Sequence, residues 1–272
     1  MKRGFSTVAC LGYSYAQIAD LAADAHLAFA EIRLGTDGTL CGLPEGSLSE
    51  VKKYFEEKRV KISNLGTSVA LFGYEPEKIQ KAISAICMAR QVGAQGIRVF
   101  LSPFIKRFSV QSEFDYSGIV RALRELCVYG QSQGVDIWVE SYNAFSTGAA
   151  LKQLLADVSH PALKVIWDIM HSVEMGEAPE KTFALLKDSI VHVHLKDGRK
   201  NADPDWIPFE QTRLGEGELP IKEALTLLKT YGFAGNLSLE WENAWHKELQ
   251  TLYPGIPELL QAYNAYLDRM EV

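Results

Sequence analysis

The stretch IVHVHLKDGRK, Ile190 to Lys200, sets two of the chain's six histidines two residues apart inside an apolar run. A short run rich in Ile, Val and Leu reads as a strand, and side chains two apart on a strand share a face. His192 and His194 therefore point the same way, one layer apart. Working outward, the same kind of run recurs as GFSTVAC, LAFAEIRL, RVKISNLG, QGIRVFL, GVDIWVES, ALKVIWDI and GNLSLEWE. Between the runs lie segments of helical period such as YAQIADLAADA, EKIQKAISAICMARQVG, YSGIVRALRELCVYGQSQG and IKEALTLLKTYG. Several of these close on Gly, the usual signal for a helix C-terminus. Strands joined by helix-length crossovers are parallel. Eight such βα units in about 250 residues predict an α/β protein with a single (β/α)8 barrel rather than an open doubly wound sheet. No GxGxxG follows the first strand, which removes the main sign of a dinucleotide fold. With no linker or low-complexity stretch, residues 1–272 are expected to form one domain.

Bulk properties narrow the function. An apolar share of 47% and a charged share of 23% are those of a globular protein with a full core. The net charge of −6 offers no basic footprint for nucleic acid or anionic lipid. No apolar run is long enough to span a bilayer, and the opening MKRGFSTVAC lacks the apolar core of a signal peptide. Cys10, Cys41, Cys87 and Cys127 show no CxxC spacing and read as reduced thiols. The expected location is the cytoplasm.

In such barrels the active site lies at the C-terminal ends of the strands. The last four strands end in Glu140, Asp168, His194 and Glu240, one potential ligand each. Neighbouring strands are about 4.8 Å apart, so these groups can converge. Three carboxylates packed so closely would repel, and would take up protons unless a cation sat among them. One imidazole with three hard oxygens suits one divalent ion: Mn²⁺, Mg²⁺ or Co²⁺, with Zn²⁺ also accommodated. A single Glu or His at a strand end is usually solvated or packed. Four at corresponding positions on successive strands are harder to explain that way.

The motifs VESYNAF, WDIMHS, HVHLKD and LSLEWENAWH together resemble the xylose isomerase-like TIM barrel superfamily of sugar isomerases and epimerases. The resemblance implies metal ligation by Glu140, Asp168, His194 and Glu240, with Glu140 and Glu240 as the catalytic carboxylates. It also implies a substrate contact at His171, within the D-x-x-H that begins at Asp168. The stretch from Glu140 through Asn143 to Phe145 resembles the E-x-x-N-x-F of ketose 3-epimerases, which makes Asn143 a substrate-binding candidate. His192, one layer below, is expected to be a packed, hydrogen-bonded barrel residue. Lys196 and Arg199 are either substrate-gripping cations or solvated loop residues. Residues 198–218 read as a long loop that could act as a lid, with Trp206 able to cover an apolar sugar face. LGEGELP reads as a turn, since Glu216 and Glu218 disfavour a phosphate cradle.

The expected activity is metal-dependent isomerisation or epimerisation of a sugar, keto-sugar or related polyol through an enediolate. The alternative is a metal-dependent dehydratase of the inosose or dehydroshikimate type, which starts with the same proton abstraction. Endonuclease IV shares the barrel, but NLGTS, VFLSP and NADPDW lack the extra ligands of its three-metal cluster. The expected partner is a small-molecule carbohydrate or polyol. Nucleic acid and membrane are not expected, and a homo-oligomer is left open. Ketose 3-epimerases carry an acid six residues after the first metal-binding Glu, where this chain has Ser146. That departure argues against a free ketohexose as substrate.

Overall fold

Each apolar run pairs in parallel with its neighbours. The strands are β1 (Lys2–Ser6), β2 (Phe29–Arg33), β3 (Lys61–Ala70), β4 (Gly96–Phe100), β5 (Asp136–Glu140), β6 (Leu163–Asp168) and β7 (Ile190–Leu195). A short antiparallel ribbon, β8 (Asp197–Lys200) with β9 (Phe209–Thr212), precedes the last wall strand, β10 (Asn236–Leu239). The order β1-β10-β7-β6-β5-β4-β3-β2 closes on itself, so the chain is a (β/α)8 TIM barrel, as expected. The computed structural model describes residues 1–36, 38, 40, 48–101, 114–202 and 209–272.

The helices form where caps and apolar stripes coincide. Helix α1 (Tyr15–Asp24) starts with a capping box, in which Ser14 and Gln17 satisfy each other's backbone N–H. After α2 (Leu48–Glu57), helices α3 (Pro76–Val92) and α4 (Tyr116–Gln133) end on Gly93 and Gly134, both in the left-handed conformation. Thr147 caps α5 (Gly148–Val158) and Asp168 caps α6 (Ile169–Glu174). The outer layer is completed by α7 (Pro179–Leu186), α8 (Ile221–Thr230) and α9 (Ile256–Arg269). Their apolar faces pack on outward strand residues such as Ile97, Val99, Val139, Val165, Val193 and Leu237, all at 0% exposure. Each such side chain contributes roughly 1.5–3 kcal/mol by leaving water. No described helix is long and apolar enough to cross a membrane.

The barrel's inside is layered. Phe29, Trp138 and His192 fill its lower level, with both aromatic ring centroids 5.5 Å from the imidazole. Two glycines make room for these rings. A Cβ on Gly4 would fall 2.4 Å from the Phe29 ring, and one on Gly96 would fall 2.5 Å from Trp138 Nε1. Two residues further along the same strands, the interior turns polar.

Three local differences separate the structure from the sequence reading. The first wall strand stops at Ser6, because Thr7 Oγ1 takes the Arg33 N–H (2.7 Å) that a ladder carbonyl would otherwise accept. The last wall strand stops at Leu239, one residue before Glu240, although Glu240 N still bonds the Leu195 carbonyl at 3.1 Å. The segment 198–218, read as a loop, contains the β8–β9 ribbon. Trp206 lies outside the described residues.

Candidate metal centre

Strand register brings the four expected ligands together. Asp168 on β6 lies beside His194 on β7, and β10 carries Ser238 on the other side of His194, with Glu240 two residues on. Glu140, Asp168, His194 and Glu240 each offer a ligand atom, and these atoms lie within 4.8 Å of one another. Around His194 Nδ1 stand Glu140 Oε1 at 3.5 Å, Glu240 Oε2 at 3.5 Å and Asp168 Oδ2 at 3.9 Å. All four residues are buried, with exposures of 0–4%. His194 Nδ1 makes no hydrogen bond among the described residues. A buried imidazole nitrogen 3.5–3.9 Å from three carboxylate oxygens fits a divalent ion, which these four groups would hold. The residues present therefore fit the metal that the sequence implies.

Each carboxylate has a further partner, and for Asp168 and Glu240 that partner, Lys196, sits on the oxygens that also face His194 Nδ1. Arg98 Nη1 donates to Glu140 Oε2 at 2.9 Å, leaving Oε1 toward the centre. Asp168 Oδ1 caps α6 through the His171 N–H at 3.2 Å, leaving Oδ2 toward the centre. Lys196 Nζ lies 2.6 Å from Glu240 Oε2 and 2.9 Å from Asp168 Oδ2. His194 Nε2 is fixed from behind by Glu31 Oε2 at 2.9 Å. A carboxylate behind a metal-ligating imidazole is the usual device for fixing ring and tautomer.

Without an ion, these charges compensate one another. Burial raises every carboxyl, yet Arg98 and His194 hold Glu140 far below the ordinary carboxylate range. For Asp168, burial is outweighed by His171, Lys196 and His194. Glu240 goes the other way: burial pushes it up to about 7, only partly offset by His194 and Lys196. Burial disfavours the His194 imidazolium, but Glu240, Glu31 and Glu140 raise it well above its usual value. Burial lowers His192, which is therefore a neutral ring.

The other sequence candidates divide. His171 is buried at the site, its Nδ1 donating to the Ser141 carbonyl at 2.8 Å and lying 3.9 Å from Glu140 Oε1. Asn143 sits on the turn just after β5 with φ 47°, a left-handed conformation that Asn tolerates. Lys196 is 1% exposed, so the solvated-cation reading does not hold for it. Arg199 is exposed and donates from Nε to the Glu216 carbonyl at 3.0 Å; this contact ties the ribbon to the turn after it. The LGEGELP turn wraps its own chain. Asp197 Oδ1 accepts from Gly198 N and Leu219 N, and its Oδ2 accepts from Gly215 N and Gly217 N. The donors a phosphate would need are thus already taken. His192 is hydrogen-bonded through Nε2 to Glu31 at 3.2 Å, as a packed barrel residue should be.

Glu31 and Arg98 escaped the sequence reading, though a signal was there. Each is a charged residue in mid-strand within an apolar run, LAFAEIRL and QGIRVFL. Such residues are almost never buried unless paired. A groove of about 490 Å³ between β10's outer face and α9, lined by Trp241, Tyr253 and Arg269, holds none of these groups.

The chain belongs to the xylose isomerase-like TIM barrel family, whose model matches residues 10–262. Solved structures show the same fold at low identity. The probable 3-DHS dehydratase AsbF of Bacillus anthracis is 18% identical, with 97% of this chain and 99% of that one aligned at TM-score 0.77. A D-allulose 3-epimerase from Methylomonas sp. is 16% identical over 99% and 98%, also at 0.77. The IOLI protein, solved with a binding zinc atom, is 19% identical over 99% and 98%, at 0.78. An uncharacterized protein of Methanocaldococcus jannaschii is 27% identical over 128 residues, 44% of this chain. The match spans 42% of that relative's length. Epimerases and dehydratases are thus both built on this fold.

Proposed function

We propose that the chain is a divalent-metal-dependent isomerase or epimerase of a sugar, keto-sugar or related polyol. Glu140, Asp168, His194 and Glu240 would hold one ion, and Glu140 and Glu240 would move the protons. The observation that carries this reading is the convergence of three buried carboxylates on a His194 Nδ1 that makes no hydrogen bond among the described residues. A bound Mn²⁺, Mg²⁺, Co²⁺ or Zn²⁺ supplies Lewis acidity to a substrate carbonyl and its neighbouring hydroxyl. Both carboxylates are held by separate cations, Glu140 by Arg98 and Glu240 by Lys196. That support fixes each for proton transfer at the carbon beside the carbonyl. Glu140 has Oε2 tied to Arg98 and only Oε1 toward the centre, so it enters ionised. His171, oriented by the Ser141 carbonyl, and Asn143 would orient substrate oxygens, and Trp206 would cover an apolar sugar face.

Loss of water from an inosose or a dehydroshikimate-type substrate is the second reading. The buried Lys196 ammonium beside Glu240 supports it, because a cation there can neutralise a departing hydroxide. The fold shared with a probable 3-DHS dehydratase is compatible with it.

The test is solvent exchange. A panel of ketoses, aldoses, keto-inositols and dehydroshikimate is incubated with the Mn²⁺-loaded protein in D₂O. Deuterium beside the carbonyl, without loss of water, is the expected outcome. An ultraviolet-absorbing dehydrated product would move the assignment to a lyase. Glu140→Gln at equal metal loading should lose exchange by ~10²-fold or more, the typical share of general base catalysis. Full exchange in that variant would sink the carboxylate mechanism.

A further inference from the structure

Beneath the proposed ligands lies a second buried cluster built around Glu31, whose side chain is about 1% exposed. Among the described residues its carboxylate meets four groups that can each donate to it. His194 Nε2 lies 2.9 Å, His192 Nε2 3.2 Å and Ser238 Oγ 3.3 Å from Oε2, and Asn64 Nδ2 lies 3.1 Å from Oε1. A carboxylate is the one side-chain group that can accept at both oxygens and needs to donate from neither. Ionised, it accepts from all four at once; protonated, it would have to turn one of the short contacts around. Asn64 is itself oriented, since its Oδ1 accepts from Ser63 Oγ at 2.7 Å. Ser238 approaches from β10 and the histidines from β7, so three strands fix the group.

This arrangement decides the state of His194. In the neutral ring that a metal requires, Nε2–H donated to Glu31 leaves the lone pair on Nδ1, which faces Glu140, Asp168 and Glu240. The opposite tautomer would set an Nε2 lone pair against a carboxylate oxygen at 2.9 Å. It would also leave an Nδ1–H with no carboxylate nearer than 3.5 Å. We propose that Glu31 is a positioning residue for the metal centre, fixing His194 as the Nε2–H tautomer so that Nδ1 is presented to the ion. The role rests on the metal-centre reading above, but it concerns a residue on the far side of the imidazole.

Glu31, His192 and His194 could in principle hold an ion themselves. The distances argue for hydrogen bonds instead: 2.9 and 3.2 Å are ordinary N–H···O lengths. An ion there would also require His194 to bridge two metals, in a pocket where both rings are fully buried.

The test starts with the wild-type full-length chain and needs no variant to fold. Long-range ¹⁵N–¹H spectra of the imidazoles should show a proton on His194 Nε2 in both the metal-free and the Zn²⁺-loaded protein. A Zn²⁺-loaded protein with that proton absent, or sitting on Nδ1, overturns the proposal. Zn²⁺ affinity is then measured by chelator competition. Glu31→Gln should weaken it by roughly 10- to 100-fold, the usual effect of losing such a support. Ser238→Ala, which removes only the longest donor to the same oxygen, should stay within about threefold. Equal affinity in Glu31→Gln and wild type overturns the role of Glu31 alone. Two zinc ions per chain, the second lost in Glu31→Gln, would make the cluster a metal site and overturn it as well. Zinc failing to bind the wild type at all overturns the metal centre itself, and this role with it.

Discussion

Glu240 differs from Glu140 and Asp168, the other two carboxylates of the cluster, in where its proton sits. Burial, partly offset by His194 and Lys196, pushes it up to about 7 in the metal-free chain. Below that pH it carries a proton that an incoming ion must displace; above it, the carboxylate is ready. Metal uptake should therefore weaken as pH falls through about 7, and binding near neutral pH should release protons. Calorimetry in two buffers of different ionisation enthalpy measures both. Affinity that stays flat from pH 8 to 6 would show that neither Glu240 nor His194 gives up a proton to the ion. The purified chain should hold about one ion, since four protein ligands complete one site. Combining Glu240→Gln with His194→Ala removes two of them, and elemental analysis should then find the metal largely gone. Undiminished metal would sink the ligand assignment.

Individual elements carry their own consequences. The start of β8 and the turn after β9 are joined through Asp197, whose two oxygens accept four backbone N–H groups. A Cβ on Gly217 would fall 2.0 Å from Asp197 Oδ1, so this position admits only glycine. Asp197→Ala leaves those donors without their acceptor and should cost about 2 kcal/mol or more, read from the denaturant midpoint. A loss under half a kcal/mol would mean the turn holds itself. At the end of β7, Lys196 is buried between Asp168 and Glu240. Lys196→Met uncovers two buried carboxylates and should destabilise the chelator-treated protein by about 3–5 kcal/mol. Excess Mn²⁺ should restore most of that, because the ion neutralises the same oxygens. An equal deficit with and without metal would place the defect in packing instead.

At the scale of the whole barrel, an ion joining β5, β6, β7 and the end of β10 braces half of a closed wall. Binding only to the folded chain stabilises it by about 2.7 kcal/mol at a hundredfold excess over Kd. For a chain of this size that is a rise of roughly 5–10 °C in Tm. Thermal unfolding with chelator and with saturating Mn²⁺ should show the difference. Coincident melting curves would mean that no ion bridges these strands.

Much of this was written in the sequence, because strands and helices announce themselves by period. The eight apolar runs and the Gly-terminated helices at Gly93 and Gly134 define the barrel through local rules alone. Once the barrel is defined, Glu140, Asp168, His194 and Glu240 fall at strand ends that must converge. What lies beneath them depends on pairing across the barrel. Glu31 meets His194 across 163 residues, and Arg98 meets Glu140 across 42. Only closure of the sheet brings such side chains together. The same closure buried Lys196, which in sequence is a loop cation beside Arg199, while Arg199 stayed in solvent. Periodicity determined which residues face inward. Tertiary structure decided which inward charges touch, because a buried charge is stable only where register and barrel geometry supply its partner.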